Sequence, residues 1–525
     1  MRLRRRCARR CWIALVVLLP VVGFLVLVGC ARLPSLEGRT ASVALDAGQA
    51  MTTRLGMATA PLAAAHPGMS GVLPLRDPQA AFASRMLLAR QAERTIDAQY
   101  YIWQNDLTGT LLLAELERAA RRGVRVRLLL DDNGIHGLDD TLAALAGQPN
   151  FQVRLFNPFA FRHPKWANYI TAFSRLNHRM HNKSFTVDNE ATIIGGRNVG
   201  DNYFGATNGI AFADLDVLAV GPVVPEVSRE FDQYWASGSS YPVGRIVGAP
   251  APGTLAKLQE RAGQIGHDPA ARAYQQAVEQ NDAVQSLLDR TAALTWAPTR
   301  MISDSPDKAL GVQHEGQQLI DGLLPVFAET RSALQLVSPY LVLGTKGTQE
   351  FADMARRGVD VRILTNSLAA TDVAAVHAGY AKRRKQLLAA GVKLYELRAT
   401  GERTHDRDLA GPFGSSGSSL HAKTFAVDDR TLFIGSFNFD PRSVNLNTEM
   451  GFLIDSPALA QDLHRMFEQQ VPAQAYQVIL DADGKLQWLR RDGNGIERYA
   501  TEPDSSWLRR VAVRLLALLP IDWLL

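Results

Sequence analysis

The sequence predicts an α/β chain of two tandem, similar halves. Each half is a mixed β-sheet flanked by helices, and the two meet about a pseudo-two-fold with the candidate site at their interface. Three observations lead there. The stretch from His181 to Asn198, HNKSFTVDNEATIIGGRN, has a twin from His421 to Asn438, HAKTFAVDDRTLFIGSFN, 240 residues on. The phrase Ala-Arg-Arg-Gly-Val-x-Val-Arg occurs at Ala120 and again at Ala355, 235 residues apart. In each half that phrase joins a helical stretch to an apolar strand, with another apolar strand before it. Strand, helix, strand is a βαβ unit, which implies parallel neighbours in one sheet.

Taken in order, residues 1–29 are a basic flank followed by an apolar run from Trp12 to Gly29. That pattern marks a signal peptide or an uncleaved membrane anchor. Cys30 follows Leu27-Val28-Gly29, which resembles the bacterial lipoprotein processing box and makes Cys30 the candidate lipidation site. The 525 residues hold 57 Lys and Arg against 52 Asp and Glu. Six of the arginines lie in the leader, so the remainder carries a net charge of −1. A near-neutral body disfavours a nucleic-acid partner. The three cysteines are Cys7, Cys11 and Cys30, so the body can hold neither a disulfide framework nor a cysteine metal site.

Residues 30–69 are rich in Ala, Gly and Ser with weak periodicity and read as an irregular tether. The first half is assigned to 70–245. It contains the strand Thr95–Trp103, the helix Gly109–Arg122 and a strand from Gly123 to Asp131. A helical connector is expected over 246–300, from the polar pattern of Pro252 to Leu294. The second half, 301–500, repeats the order with Leu334–Tyr340, Gly347–Arg357 and Gly358–Thr365. An amphipathic helix is expected over Thr371–Ala390; His377 lies on it as a packing or surface residue, or a substrate contact by position alone. The Gly/Ser-rich stretch Gly411–Ser419 enters the second motif as an acceptor-site lip or a plain connector. The last segment, 501–525, is a basic amphipathic helix from Trp507 that either lies in a membrane interface or packs on the body.

Each twin stretch reads as a β-hairpin turning at Asp188–Ala191 or Asp428–Thr431. Residues two apart on a strand share a face, so His181 and Lys183 project together, as do His421 and Lys423. If Asp188 and Ala191 bracket the turn, His181 falls opposite Asn198; the same register sets His421 opposite Asn438. An imidazole, an ammonium and a carboxamide at one end suit a phosphate group. Asp188 and Asp428 sit at the turns, roughly 23 Å of strand from their histidines, and are expected to serve structure. A histidine needs an acceptor for its far nitrogen. Glu449 and Asp214, each just before an apolar strand, are the candidates, with Asp216 competing for the role of Asp214. Which histidine each would serve is left open. The halves differ at Arg197 against Phe437 and at Asp201–Phe204 against Asp440–Ser443, which points to a fixed division of labour.

The two His-x-Lys-x4-Asp motifs resemble those of the phospholipase D superfamily, above all its bacterial cardiolipin synthases of the C-type, from about Ser70 to the C-terminus. The resemblance implies two tandem phospholipase D-like domains. It implies a membrane-associated phosphatidyltransferase that makes cardiolipin from phosphatidylglycerol and a second phospholipid through a phosphohistidine. His181 would be the nucleophile and His421 the general acid and base. Lys183, Lys423, Asn198 and Asn438 would hold the phosphate, with Ser443 or Arg442 lining the pocket, and Glu449 would partner a histidine. Phospholipid substrates and a membrane in the bacterial envelope are the expected partners. No cofactor, no metal, no nucleic acid and no obligate protein partner are expected. The alternatives are a phospholipase D hydrolase, a phosphodiesterase or nuclease, and a silent envelope scaffold.

Overall fold

A computed structural model describes residues 32–205, 214–265, 269–399, 420–493, 495–520 and 522–524. The leader, Cys30 and the Gly411–Ser419 stretch lie outside the described residues. The first half supplies β1 (Ser70–Leu75), β2 (Thr95–Ile102), β3 (Arg125–Gly134), β4 (Phe151–Phe156), β5 (Ser184–Val187), β6 (Ala191–Gly195), β7 (Asp216–Val220), β8 (Ser240–Pro242) and β9 (Thr295–Ala297). They form a sheet ordered β8-β4-β3-β2-β5-β6-β7-β1-β9. The second half supplies β10 (Thr299–Ser303), β11 (Ala333–Val337), β12 (Asp360–Asn366), β13 (Lys393–Leu397), β14 (Thr424–Val427), β15 (Thr431–Gly435), β16 (Met450–Asp455), β17 (Ala475–Leu480), β18 (Leu486–Asp492) and β19 (Gly495–Tyr499). Their order is β10-β16-β15-β14-β11-β12-β13-β17-β18-β19. The inner six strands match one for one: β4-β3-β2-β5-β6-β7 against β13-β12-β11-β14-β15-β16. This is the duplicated mixed sheet the sequence predicts.

The repeated Arg-Arg-Gly-Val phrase is the place where a helix stops and a parallel strand begins. The helix Leu107–Arg121 ends before Gly123 and Gly344–Arg356 ends before Gly358. Those glycines have φ of 97° and 93°, a left-handed conformation that a Cβ penalises and that closes a helix. The valine that follows turns into the core, and the chain enters β3 or β12 parallel to its predecessor.

The hairpin register differs from the expected one. Val187 pairs with Ala191, and Val427 with Thr431, so three residues form each turn rather than two. Asp188 and Asn189 have φ of 52° and 57°, and Asp428 and Asp429 of 52° and 50°. Two successive left-handed residues, tolerated by Asn and Asp, supply the reversal. The pairing moves by one residue and ends at Ser184 and Ile194. His181 therefore does not face Asn198 across a ladder, and His421 does not face Asn438.

The expected tether is also corrected over its described part. Thr53 caps a helix from Arg54 to Ala64, which buries Leu55 and Ala58. The stretch before it is fastened by arginines of the first half: Arg127 donates to the Ser42 carbonyl at 3.0 Å, and Arg245 to that of Glu37 at 2.9 Å. Small side chains that weaken the periodic signal are what allow this close packing.

The connector forms helices over Thr254–Ile265, Pro269–Gln280 and Ala283–Leu288. Only Pro298 separates β9, paired to β1 in one sheet, from β10, paired to β16 in the other. Each half keeps an outer apolar core. A third core is shared: Ile194, Val217 and Ala219 of the first half pack with Ala422, Ala426, Ile434 and Phe452 of the second. Burial of this layer fixes the two sheets against each other and brings the starts of β5 and β14 to one edge. On the expected helix at Ala374–Ala389, His377 is buried against Glu502 at 3.0 Å and Arg384 at 3.1 Å. It helps clamp the C-terminal segment.

Candidate active site

Both histidines are buried at the shared layer, each 7% exposed. Each is oriented by the other half. The Nδ1 of His181 donates to Glu449 Oε2 at 2.8 Å, and the Nδ1 of His421 donates to Asp214 Oδ2 at 2.6 Å. A proton held on Nδ1 leaves the lone pair on Nε2. The backbone carries the same crossing. His181 N–H donates to the Thr448 carbonyl, and Thr448 N–H to that of Arg179, both at 2.9 Å. A neighbouring rung links the Thr448 hydroxyl to Asn182 at 2.8 Å. Neither half holds a complete site.

Each ring also meets a tyrosine edge-on. Tyr101 packs on His181 with centroids 5.2 Å apart, and Tyr203 on His421 at 5.3 Å. Lys183 donates to the His181 carbonyl at 2.5 Å and lies 5.7 Å from the Tyr101 centroid. Lys423 donates to the His421 carbonyl. Asn198 accepts the Ile102 N–H through Oδ1 at 3.1 Å. Its Nδ2 is buried with no partner among the described residues, as is Oδ1 of Asn438. A buried amide donor left open is a place for an anionic oxygen.

Burial and mutual repulsion shape the charges. Burial, then Lys183, Lys423 and His421, hold His181 well below the ordinary histidine range. Burial and Lys423 bring His421 down to about 4, against the pull of Asp214. Burial lowers Lys183 to about 7 and Lys423 to about 8, although Glu449 and Asp214 oppose it. The carboxylates part company. Burial opposes ionisation of Asp214, yet His421, Lys423 and Arg197 hold it below the usual carboxylate range. Burial pushes Glu449 up to about 7 against Lys183 and two serine hydroxyls.

Other residues named from the sequence fall elsewhere. Asp216 is bound to Arg85 at 2.8 Å and accepts the Arg197 N–H at 3.1 Å, so it faces away from the histidines. Ser443 directs its hydroxyl hydrogen to Glu449 Oε1 at 2.8 Å, which makes it a support of the carboxylate rather than a donor to phosphate. Arg442 donates to the Asn177 side chain at 2.9 Å and to its carbonyl at 2.6 Å, bracing the two halves. Asp188 accepts the N–H groups of Glu93, Arg94 and Thr95 at 3.0, 2.8 and 2.8 Å. Asp428 accepts those of Arg331, Ser332 and Ala333 at 2.9, 2.7 and 3.0 Å. Each aspartate thus ties a hairpin tip to the chain entering β2 or β11.

Sequence reasoning passed over Ser436, Tyr101, Tyr203, Thr448 and Asp304. Ser436 donates to Glu449 Oε2 at 2.5 Å. Asp304 accepts the Glu449 N–H at 2.8 Å and holds Lys308 at 2.9 Å. A signal for Ser436 was present: the first motif has Gly196 there. A Cβ at Gly196 would stand 2.1 Å from Asp214 Oδ1, so the shorter carboxylate approaches bare backbone where the longer one is held by a hydroxyl. Among the described residues no group of three His, Cys, Asp or Glu is placed to hold a metal ion.

The duplicated geometry has a counterpart among known families. The family model described as "Cardiolipin synthase, PLD-like domain" matches twice, over residues 87–235 and 323–471. The chain belongs to this phospholipase D-like family. It is 48% identical to cardiolipin synthase C of Escherichia coli (strain K12) over 475 residues, 90% of this chain and 100% of that protein. It is 31% identical over 477 residues to an uncharacterized protein of Helicobacter pylori (strain 26695), covering 89% of this chain and 92% of that one. The crystal structure of a phosphatidylserine synthase from Haemophilus influenzae Rd KW20 shares the fold, with a TM-score of 0.53 at 15% identity, over 85% of this chain and 91% of that one. The family match spans both halves, and each matched stretch contains one histidine and its lysine.

Proposed function

We propose that the protein is a phospholipase D-type phosphatidyltransferase that makes cardiolipin from phosphatidylglycerol and a second phospholipid. The observation that carries this is the crossed pair of histidine–carboxylate contacts around two buried lysines. The likeness to a cardiolipin synthase over its whole length supports the substrate class.

In the first step His181 Nε2 attacks the phosphorus of the donor lipid. The bound phosphodiester anion offsets the two lysines, so His421 takes up a second proton at Nε2 beside Asp214; the bond to the headgroup oxygen breaks as that proton passes to the oxygen, releasing the head alcohol. In the second, the free hydroxyl of a phosphatidylglycerol head attacks the phosphohistidine. His421 takes its proton, the phosphorus–nitrogen bond breaks, and His181 returns neutral. Lys183, Lys423 and Asn198 stabilise the non-bridging oxygens as charge gathers on them, and Asn438 joins them when its carboxamide turns its NH2 group to the place its open Oδ1 holds. Phosphate binding also sets an anion beside the two lysines and so opposes the burial that lowers them.

Membrane association is part of the same reading, supported by the apolar leader and Cys30 in the sequence. Among the described residues no helix is long and apolar enough to cross a membrane. The domain limits proposed are 70–245 and 301–500, with the end of the connector adding β9 to the first sheet and the start of β10 to the second. The test is incubation of purified protein with headgroup- and acyl-labelled phosphatidylglycerol, with and without phosphatidylethanolamine. Labelled cardiolipin and released head alcohol are expected. Phosphatidic acid in place of cardiolipin would show that water is the acceptor and the enzyme a hydrolase.

A further inference from the structure

Two short helices, one from each half, turn apolar stripes to solvent. In the first, Trp166, in a 3-10 turn, and Ile170 and Phe173, on either side of a kink at Ala172 within Asn168–Leu176, are exposed, Trp166 by 66%. In the second, Trp507–Ala517 packs on the body through Val513, against Leu368 and Ala378. Its outer face carries Leu508, Leu515 and, just beyond the helix, Leu518, which is 80% exposed. A surface helix ordinarily turns its polar face outward; these two turn apolar side chains outward.

Arg442 links the two segments that carry the stripes. The first helix runs to Asn177, four residues before His181. The Arg442 guanidinium bridges Asn177 at 2.9 Å to the Leu524 carbonyl at 3.4 Å, a few residues past the second helix. Arg442 itself lies four residues after Asn438. Their charge is one-sided as well. Residues 159–181 and 505–520 contain no Asp or Glu, yet they carry Arg162, Lys165, Arg175 and Arg179, and Arg509, Arg510 and Arg514. Arg162 is paired with Asp132 and Asp139, Lys165 with Asp132, and Arg179 is buried against Asp131, whereas Arg514, beside the second stripe, is exposed. Two apolar stripes, one of them edged by an exposed arginine, fit an anionic lipid leaflet.

We infer that these two stripes together dock the protein on an anionic phospholipid surface, so that the site opens onto the headgroup layer. The inference rests on the phosphatidyltransfer reading for its purpose. It explains how histidines so little exposed reach a lipid phosphate: the edge that exposes them sits at headgroup depth while the stripes enter the acyl boundary.

The test uses the full chain in two kinds of proteoliposome. One is made of phosphatidylglycerol and phosphatidylethanolamine; the other is phosphatidylcholine supplied with labelled short-chain phosphatidylglycerol below its micelle concentration. The double variants Ile170→Ser/Phe173→Ser and Leu515→Ser/Leu518→Ser should each lower turnover of the bilayer lipid about tenfold and leave the dispersed lipid within about twofold. Equal loss on both substrates, or loss on neither, overturns the docking role. A wild-type protein that sediments as a dimer in detergent, with monomeric variants and unchanged bilayer turnover, assigns the stripes to a second copy and overturns it too. If the wild type makes no cardiolipin from either substrate, the reaction reading fails and docking is judged separately with brominated phosphatidylglycerol. Quenching that drops on Trp166→Phe and Trp507→Phe supports docking; quenching unchanged by both removes it.

Discussion

Replacing each orienting carboxylate by its amide should damage a different half-reaction. In Glu449→Gln one oxygen becomes an NH2 group, while two serine hydroxyls and His181 Nδ1 still ask for acceptors. A donor is then turned either to a serine or to His181, and the imidazole loses its set tautomer. In Asp214→Asn the ionised partner of His421 is gone, so the imidazolium that must protonate the leaving group is less stable. A hydrogen bond to a charged group contributes about 1.5–3 kcal/mol, which corresponds to roughly 10- to 150-fold in rate. Both variants should fall by that order with phosphatidylglycerol. They should separate with a phosphatidyl ester of p-nitrophenol, whose departure needs little protonation. Rapid-quench measurement of the nitrophenol burst should find Asp214→Asn restored to within a few fold and Glu449→Gln still slow. The adduct, located by peptide mass spectrometry, should lie on His181. A burst lost in Asp214→Asn and kept in Glu449→Gln would reverse the two histidines; equal loss in both would refute the division of labour.

The pH profile should be shaped by the lysines. Their folded pKa values are depressed to about 7 and about 8, and the ammonium forms are required, so kcat/KM should fall as pH rises through that range. Bound phosphate raises both lysines, so the alkaline limb of kcat should lie at higher pH than that of kcat/KM; coincident limbs would contradict this. Turnover should survive EDTA, since ammonium groups and imidazoles here supply the charge and the proton, and a strict divalent requirement in acid-quenched single turnover would remove the mechanism. Asp188→Ala removes a fully buried carboxylate from three backbone N–H donors and should cost about 3 kcal/mol in urea unfolding, whereas Asp428→Ala, half-exposed, should cost about 1 because water replaces the carboxylate. Equal costs would show that burial is not what separates them.

The repeated phrases located both sheets and both hairpins because they encode local necessities: a left-handed residue to end a helix, an aspartate to gather backbone donors. The histidines, lysines and both carboxylates were likewise legible as side chains before apolar strands. The pairing between them was not. Glu449 lies 268 residues from His181, and Asp214 lies 207 from His421, so only docking of the halves decides it. The register slipped for a smaller reason: two-residue and three-residue turns differ by one left-handed residue, and Asn and Asp permit either. The helix at Arg54–Ala64 was hidden because, beside Leu55, it buries small residues, Gly56, Ala58 and Thr59, whose burial leaves little trace of period.

The differences between the halves form a connected set. In sheet register Asp216 pairs with Gly195, and Gly451 with Gly435, so Asp216 and Gly451 are equivalent positions. Arg197 stands where Phe437 does. The first half therefore holds a buried Arg85–Asp216–Arg197 cluster where the second packs Phe433 against Gly451. Members of such a cluster must change together, since removing one partner leaves a buried charge uncompensated. Arg197 does more than balance Asp216. Its guanidinium donates to the Asp214 carbonyl at 2.7 Å and helps keep the Asp214 carboxylate ionised. Phe437 offers Glu449 no such charge; Ser436 and Ser443 hold that carboxylate with neutral hydroxyls instead. The result is one histidine facing a fixed anion, suited to carry a proton, and one facing a weaker acid, suited to stay neutral and attack. Arg197→Phe alone would not convert the first half into the second. It would leave Asp216 with Arg85 as its remaining partner, and Asp214 less ionised, with no hydroxyl where Gly196 stands.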